Sequence, residues 1–471
     1  MKRLLLLSGC AAIASVVFFS FKNDNSRLVT SSDNDSTVIS KIYREAMVNG
    51  EAYENLRELC TTAPKRLSGS PGAQKAVDYM EGVMKKCGFD KVWLQPCMVP
   101  HWVRGEAEQG ELIVQGNGKP ARIHMNVCAL GGSVATPKEG ITAPVVEVGS
   151  FEELDKLGRK DVEGKIVFFN HKFDESKLNT FEGYGEAVQY RWQGPPAAEK
   201  YGAVAVLVRS VTSALDTFPH TGTTRNDSLA PKIPAAALST LDAETLHSRM
   251  AKGEKLSFFL KMNCQWLADE KSYNVIGEIT GSEHPEQVIV VGGHLDAWEL
   301  GDGAHDDGAG VTQSVEAIRL FKALGIRPKH TIRCVAFMNE ENGGRGGHAY
   351  ADSAIAKNEK HIAGLESDAG GFTPRGFGLE MSPEQKAKVR SWAPLFLPYG
   401  VYDFTHDDGG ADIGPLAKQG TALIGLEPDG SRYFDYHHTE DDVFRNVNKR
   451  ELHMGAASLS AMIYLIDKYG L

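Results

Sequence analysis

Gln287-Val288-Ile289-Val290-Val291-Gly292-Gly293-His294 is a short apolar run that ends on two glycines and a histidine, and the fold class turns on it. It reads as a strand over Gln287–Val291 with a chemically capable residue at its end. A helix predicted from Val311 follows, with Val315, Ile318, Phe321 and Leu324 on one face. The same order then repeats: strand Thr331–Met338 ends in Asn339-Glu340-Glu341, and strand Ile362–Leu365 ends in Glu366-Ser367-Asp368. Strands and helices in this alternation predict an α/β enzyme lobe after Tyr273, and open α/β sheets bind ligands at the carboxyl ends of their strands. Histidine and acids placed repeatedly at those ends are informative where no single residue would be.

His294, Asp296, Asp306, Glu340, Glu341, Asp368 and His438 form a set of nitrogen and oxygen donors without a thiolate, which suits zinc or a similar divalent ion. Singly, each has a bland explanation: a strand-end histidine is commonly a satisfied structural residue, Glu340-Glu341 a solvated pair, Asp306-Asp307 a helix N-cap. Jointly those explanations fail. Apolar strands ending in adjacent acids at several places suffer desolvation and like-charge repulsion unless cations compensate. Asp296 stands two residues beyond His294, so on an extended backbone both side chains fall on one side, where the carboxylate would orient the imidazole. Gly308 and Gly310 permit tight backbone geometry where the helix begins.

Outward from this core, the texture between about Ile141 and Met262 is one of short strands and turns, with strands predicted at Val145–Val148, Gly164–Phe169 and Ala203–Val208. Such texture predicts a second lobe, as a chain of 471 residues also does. Upstream, Ala73–Cys87 spaces Val77, Met80 and Met84 as an amphipathic helix would and stops at Gly88. The net charge of -10 opposes a broad nucleic-acid footprint. Met1-Lys2-Arg3 and the apolar run to Phe21 have the form of an export signal or membrane anchor, residues 1–21, with a lipobox-like Leu7-Ser8-Gly9-Cys10 inside it. Residues 22–40 are rich in Asn, Asp, Ser and Thr and read as a disordered tether. Seven cysteines without a CxxC spacing are too sparse for a disulfide scaffold and argue against a thiolate zinc site.

His294-Leu295-Asp296, Gly303–Gly310 with Asp306-Asp307, Asn339-Glu340-Glu341, Glu366-Ser367-Asp368 and His437-His438-Thr439 resemble, in order and spacing, the motifs of the family-28 co-catalytic zinc peptidases. The likeness extends to Arg66–Pro71, Pro100–Gly105 and Pro219–Gly222, and so covers nearly everything after the tether. It implies a mixed central sheet with helices on both faces, built from residues 41–135 and 267–471, and a protease-associated domain inserted at 136–266. It further implies two zinc ions per chain, bridged by Asp306, with His294 and Asp368 completing one and Glu341 and His438 the other. Glu340 would be the general acid/base, Asp296 would stand behind His294, and the Asp306–Asp307 peptide would be cis.

The chemistry expected from such a site is peptide hydrolysis. Two close zinc ions polarise the scissile carbonyl and lower the pKa of a bridging water to give a hydroxide nucleophile, while Glu340 moves the proton. The expected substrate is a short peptide or dipeptide cleaved from one end. The expected location is extracytoplasmic, with membrane contact only through the N-terminal segment or a lipid, and a homodimer is implied by analogy. Two other classes compete: a metal-free, receptor-like binding protein of the same fold, opposed by retention of all five donors and Glu340, and a glutaminyl-cyclase-like acyl transferase, opposed by His294 and the inserted lobe.

Overall fold

The computed structural model describes residues 28–116, 119–225 and 233–471. The predicted signal or anchor over 1–21, with Cys10, lies outside the described residues. No helix among the described residues is long and apolar enough to cross a membrane. The expected tether is shorter than 22–40, because helix Asp35–Asn49 starts inside it. Asn34 caps that helix, its side chain accepting from the Thr37 N–H at 2.9 Å. The polar run that reads as solvated chain is thus partly an N-cap and first turn.

Fifteen strands follow among the described residues. The first eight are β1 (Lys91–Val103), β2 (Gln109–Val114), β3 (Ala121–Met125), β4 (Val127–Ala129), β5 (Ile141–Val148), β6 (Ile166–Phe169), β7 (Ala205–Arg209) and β8 (Ala235–Leu238). The rest are β9 (Leu256–Lys261), β10 (Gln265–Ile279), β11 (His284–His294), β12 (His330–Phe337), β13 (Lys360–Glu366), β14 (Pro374–Glu380) and β15 (Ala422–Pro428). They form two sheets, ordered β1-β10-β12-β11-β13-β15-β14 and β3-β2-β9-β5-β6-β7-β8-β4.

In the first sheet, β12, β11, β13 and β15 are parallel, and antiparallel strands flank them. The Gln287–His294 run lies at its centre, in β11 between β12 and β13. Ile289 and Val291 pack into one core with Val311, Val315, Ile318, Phe321 and Leu324 of helix Ala309–Leu324. Val288 and Val290 pack on the opposite face with Tyr350, Ala351 and Ala354 of helix Arg345–Ala356. Period-two alternation into two apolar layers is what a parallel strand covered on both faces requires.

The second sheet makes a separate lobe. Its strands begin at Gln109, so the boundary drawn at 136 falls inside it: β2 pairs with β9, and β4 with β8. Partners more than a hundred residues apart leave no local pattern to read. The chain leaves the first sheet along β1 and returns along β10, paired antiparallel from Lys91 opposite Glu278 to Val103 opposite Gln265. Helix Thr180–Glu199 precedes β7 and contains Pro195 and Pro196 in its last turns.

Arg66 is a fully buried cation. Its Nε donates to the Leu295 carbonyl at 2.7 Å, Nη2 to Gly303 at 2.6 Å, and Nη1 to Asp302. It thereby ties the loop that follows β11 to the turn before helix Pro71–Lys86. Arg66→Met removes the donor from three carbonyls at about 1–3 kcal/mol for each group left unsatisfied. Urea unfolding of the variant is expected to show a loss of about 3 kcal/mol or more; a midpoint equal to that of the wild type would contradict this role.

Candidate metal centre

The carboxyl ends of β11, β12 and β13 deliver His294, Glu340-Glu341 and Asp368, and the turn after Tyr433–Tyr436 delivers His437-His438. All converge on Asp306. His294 Nε2 lies 3.1 Å from Asp306 Oδ1 and 3.4 Å from Asp368 Oδ1. His438 Nε2 lies 3.2 Å from Asp306 Oδ2 and 3.1 Å from Glu341 Oε2. Each oxygen of Asp306 thus faces its own imidazole–carboxylate pair. His437 Nε2 is farther from Asp306 Oδ2, at 3.7 Å, and its ring stacks on that of His438 with centroids 3.5 Å apart.

The backbone around Asp306 is held from several sides. The Asp306–Asp307 peptide is cis. Asp442 Oδ1 accepts from the His305 N–H at 2.7 Å and Oδ2 from the Asp306 N–H at 3.1 Å. Asp307 Oδ2 accepts from the His294 N–H and Oδ1 from the Gly310 N–H, both at 3.0 Å. A Cβ on Gly310 would lie 1.8 Å from the Ser367 carbonyl, so only glycine lets the helix start this close to the end of β13. Asp442 was not legible in the sequence: it is the last of three consecutive acids after Thr439 and fits no periodic pattern.

Asp296 works differently from the expectation. Its main-chain carbonyl, 2.9 Å from His294 Nδ1, engages the imidazole, and its carboxylate stands 3.9 Å away. That carboxylate instead accepts from the N–H groups of Asn339 (2.7 Å) and Glu340 (3.1 Å), fixing the turn that presents the two glutamates. Asn339 has φ 75°, a left-handed conformation that asparagine tolerates better than most residues. Pro219-His220-Thr221-Gly222 also reaches the site: the Thr221 N–H donates to the His438 carbonyl at 3.0 Å.

Burial raises the Glu341 carboxyl to about 7, helped by the charge of Asp306. Burial opposes charge on His438, yet Glu341 and Asp306 beside it push its pKa up to about 10. Burial, then the charges of Asp368 and Glu341, hold Glu340 well above the ordinary carboxyl range. The protein alone therefore draws protons into this cluster, which is the electrostatic condition for holding a cation there.

The donor set fits zinc on three counts. With each Nδ1 turned to a carbonyl, both Nε2 atoms face carboxylate oxygens. Asp306 Oδ2 is buried and has no hydrogen-bond partner. The four donor separations, 3.1–3.4 Å, match the roughly 3.3 Å between two donors placed about 2.0–2.1 Å from a tetrahedral zinc.

A parallel-centred α/β sheet carrying imidazoles and carboxylates at its strand ends defines a class of protein able to hold a divalent metal there. The sequence profile of Peptidase family M28 matches residues 274–463. Carboxypeptidase Q of Bos taurus is 37% identical over 88% of this chain and 85% of its own length. The chain belongs to peptidase family M28, and it is a peptidase. The crystal structure of a Peptidase M28 precursor from Shewanella amazonensis superposes with a TM-score of 0.86 at 30% identity, covering 92% of this chain and 96% of that one. A zinc aminopeptidase from Bacillus subtilis shares the fold, with a TM-score of 0.62 at 20% identity over 88% of this chain and 94% of its own.

Asp296→Ala leaves the Asn339 and Glu340 N–H groups without an acceptor and is expected to lower peptidase activity by roughly 10–100-fold. Asp296→Asn, which keeps one acceptor oxygen, should retain most of it. Equal losses in steady-state assays of the two variants would return the role to the carboxylate charge.

Proposed function

We propose that this chain is an extracytoplasmic exopeptidase that cleaves short peptides with the help of two zinc ions. His294, Asp306 and Asp368 would hold one ion, and Asp306, Glu341 and His438 the other. The observation that carries the reading is the pair of imidazole–carboxylate sets that Asp306 faces, one on each oxygen. When bound, the ions supply Lewis acidity, polarising the scissile carbonyl and lowering the pKa of water.

Glu340 is the proton carrier. Its main chain is fixed by Asp296, so its carboxylate is held where it can take a proton from the attacking water and pass it to the departing amine. A cleft of about 1040 Å³ runs from Glu366 and Asp368, past Arg375 and Tyr402, to Leu178 and Phe181 of the second lobe. A space of that size takes a few residues of peptide rather than a folded chain. The second lobe is read as a protease-associated domain that narrows this approach. The charged start and apolar run at the N-terminus support export.

Glu340→Gln should keep two zinc equivalents by elemental analysis while turnover on dipeptides falls by roughly 10²–10⁴-fold, because an amide cannot accept the proton. Asp306→Asn should instead lose zinc, since the charge shared by both ions is gone. Equal metal contents in the two variants would contradict this division of roles.

A further inference from the structure

The second lobe touches the metal centre with buried groups. The Thr221 carbonyl lies 3.2 Å from His438 Nδ1, while the Thr221 N–H bonds to the His438 carbonyl. Arg191, from helix Thr180–Glu199, donates from Nη1 to the same Thr221 carbonyl at 3.2 Å and from Nη2 to Tyr184 Oη at 2.8 Å. Its Nη1 is 3.5 Å from His438 Nδ1. Thr223 Oγ1 donates to the Glu341 carbonyl at 2.8 Å, and His220 Nδ1 is 2.7 Å from the His437 carbonyl. His220 and Thr221 are almost wholly buried and Arg191 is 6% exposed, so this is an interior contact and not a surface turn.

His438 needs such restraint. Its φ of 64° is left-handed, a conformation that costs a residue with a Cβ roughly 1–2 kcal/mol and that its surroundings must impose. An imidazole that binds metal through Nε2 also requires an acceptor for its Nδ1 proton, and that acceptor fixes both tautomer and ring angle. For His294 the acceptor is the Asp296 carbonyl, from the same lobe. For His438 it comes from the other lobe. Gly222 makes the approach feasible: its φ is 130°, and a Cβ there would lie 2.4 Å from Arg191 Cζ and 2.7 Å from His438 Nδ1.

We propose that the second lobe is a structural part of the metal centre and not only a cover over it: the Thr221 carbonyl, steadied by Arg191 and given room by Gly222, turns His438 Nε2 toward Asp306 and Glu341. Arg191 and Gly222 are positioning residues. The proposal rests on the assignment of His438 and Glu341 to one of two zinc ions. It makes the two sites unequal. The site of His294, Asp306 and Asp368 is set by the first lobe alone, whereas the site of Asp306, Glu341 and His438 depends on how the lobes dock.

The experiment is a zinc titration of the full chain against a competing chelator, with elemental analysis of the dialysed protein, for wild type, Gly222→Ala and Arg191→Met. Both variants are expected to weaken one zinc site by roughly 10–100-fold and to leave the other unchanged. Arg191→Met is the sharper of the two. Deleting a cation beside a zinc site would by Coulomb's law alone strengthen binding, so weakening can arise only through lost positioning. Arg191→Lys, which keeps a donor for the Thr221 carbonyl, should recover part of the affinity. If Gly222→Ala fails to fold, Arg191→Met decides alone. Two wild-type affinities in both variants, or equal weakening of both sites, would overturn the proposal. A wild-type protein that binds fewer than two zinc ions would instead refute the assignment beneath it.

Discussion

Asp306 must face His294 with one carboxylate oxygen and His438 with the other while its own main chain is buried. A carboxylate is planar and small, so this two-sided presentation leaves little tolerance in the position of its Cα. The surrounding structure supplies the restraint. Asp442 takes the N–H groups of His305 and Asp306, Arg66 takes the carbonyls of Asp302 and Gly303, and Asp307 bonds back to His294 and forward to Gly310. These partners come from helices and turns far apart in sequence, and each is itself buried. The position of one side chain is thus fixed by much of the first lobe.

The same convergence concentrates negative charge. Asp368, Glu340 and Glu341 are joined by Glu366, which burial pushes up to about 8 although it accepts from the Ala411, Asp412 and Ile413 N–H groups. Asp412 beside it is buried with neither oxygen partnered. Such a cluster is tolerated in a folded protein when cations or protons enter it. The cost of assembling acids at the strand ends therefore becomes affinity for a cation, in the place where the carboxyl ends of parallel strands open a crevice.

How much of this was legible follows from the range of each interaction. The central strand and its helix were readable because Val288–Val291 and the Val315, Ile318, Phe321, Leu324 stripe report burial through local periodicity. The approach of His294, Glu341 and Asp368 was readable because each follows a strand end, where the topology of an α/β sheet brings residues together, whereas the inclusion of Asp306 and the choice of His438 over His437 rested on the resemblance to the family-28 peptidases. Asp442 was hidden, since its role is to accept two backbone N–H groups and any short acid in an acidic turn looks the same. The true start of the second lobe was hidden for a different reason: β2 acquires meaning only by pairing with β9. Asp296 shows a third limit. Sequence spacing put its carboxylate beside His294, but the chain turns there, so that the carbonyl faces the imidazole and the carboxylate faces Asn339 and Glu340.

The route by which the second lobe is attached explains how its loop can bear on a site that needs ångström accuracy. A lobe hung on two loose linkers would move relative to the sheet that carries the acids. Here the two connecting segments are β1 and β10, paired with each other along almost their whole length, and β10 is also bonded to β12 inside the first sheet. Trp102 and Arg104, at the far end of β1, continue the anchorage. Trp102 Nε1 donates to Ser133 and its ring meets that of Trp298 edge-on, while Arg104 Nη2 donates to Thr221 Oγ1 at 3.1 Å and Nε to Glu299 at 2.5 Å. Glu299 follows the loop of Asp296, and Thr221 contacts His438, so one buried guanidinium spans the two lobes at the rim of the candidate metal centre. The stem that carries the second lobe outward and the loop by which it returns to the site are therefore parts of one continuously bonded connection.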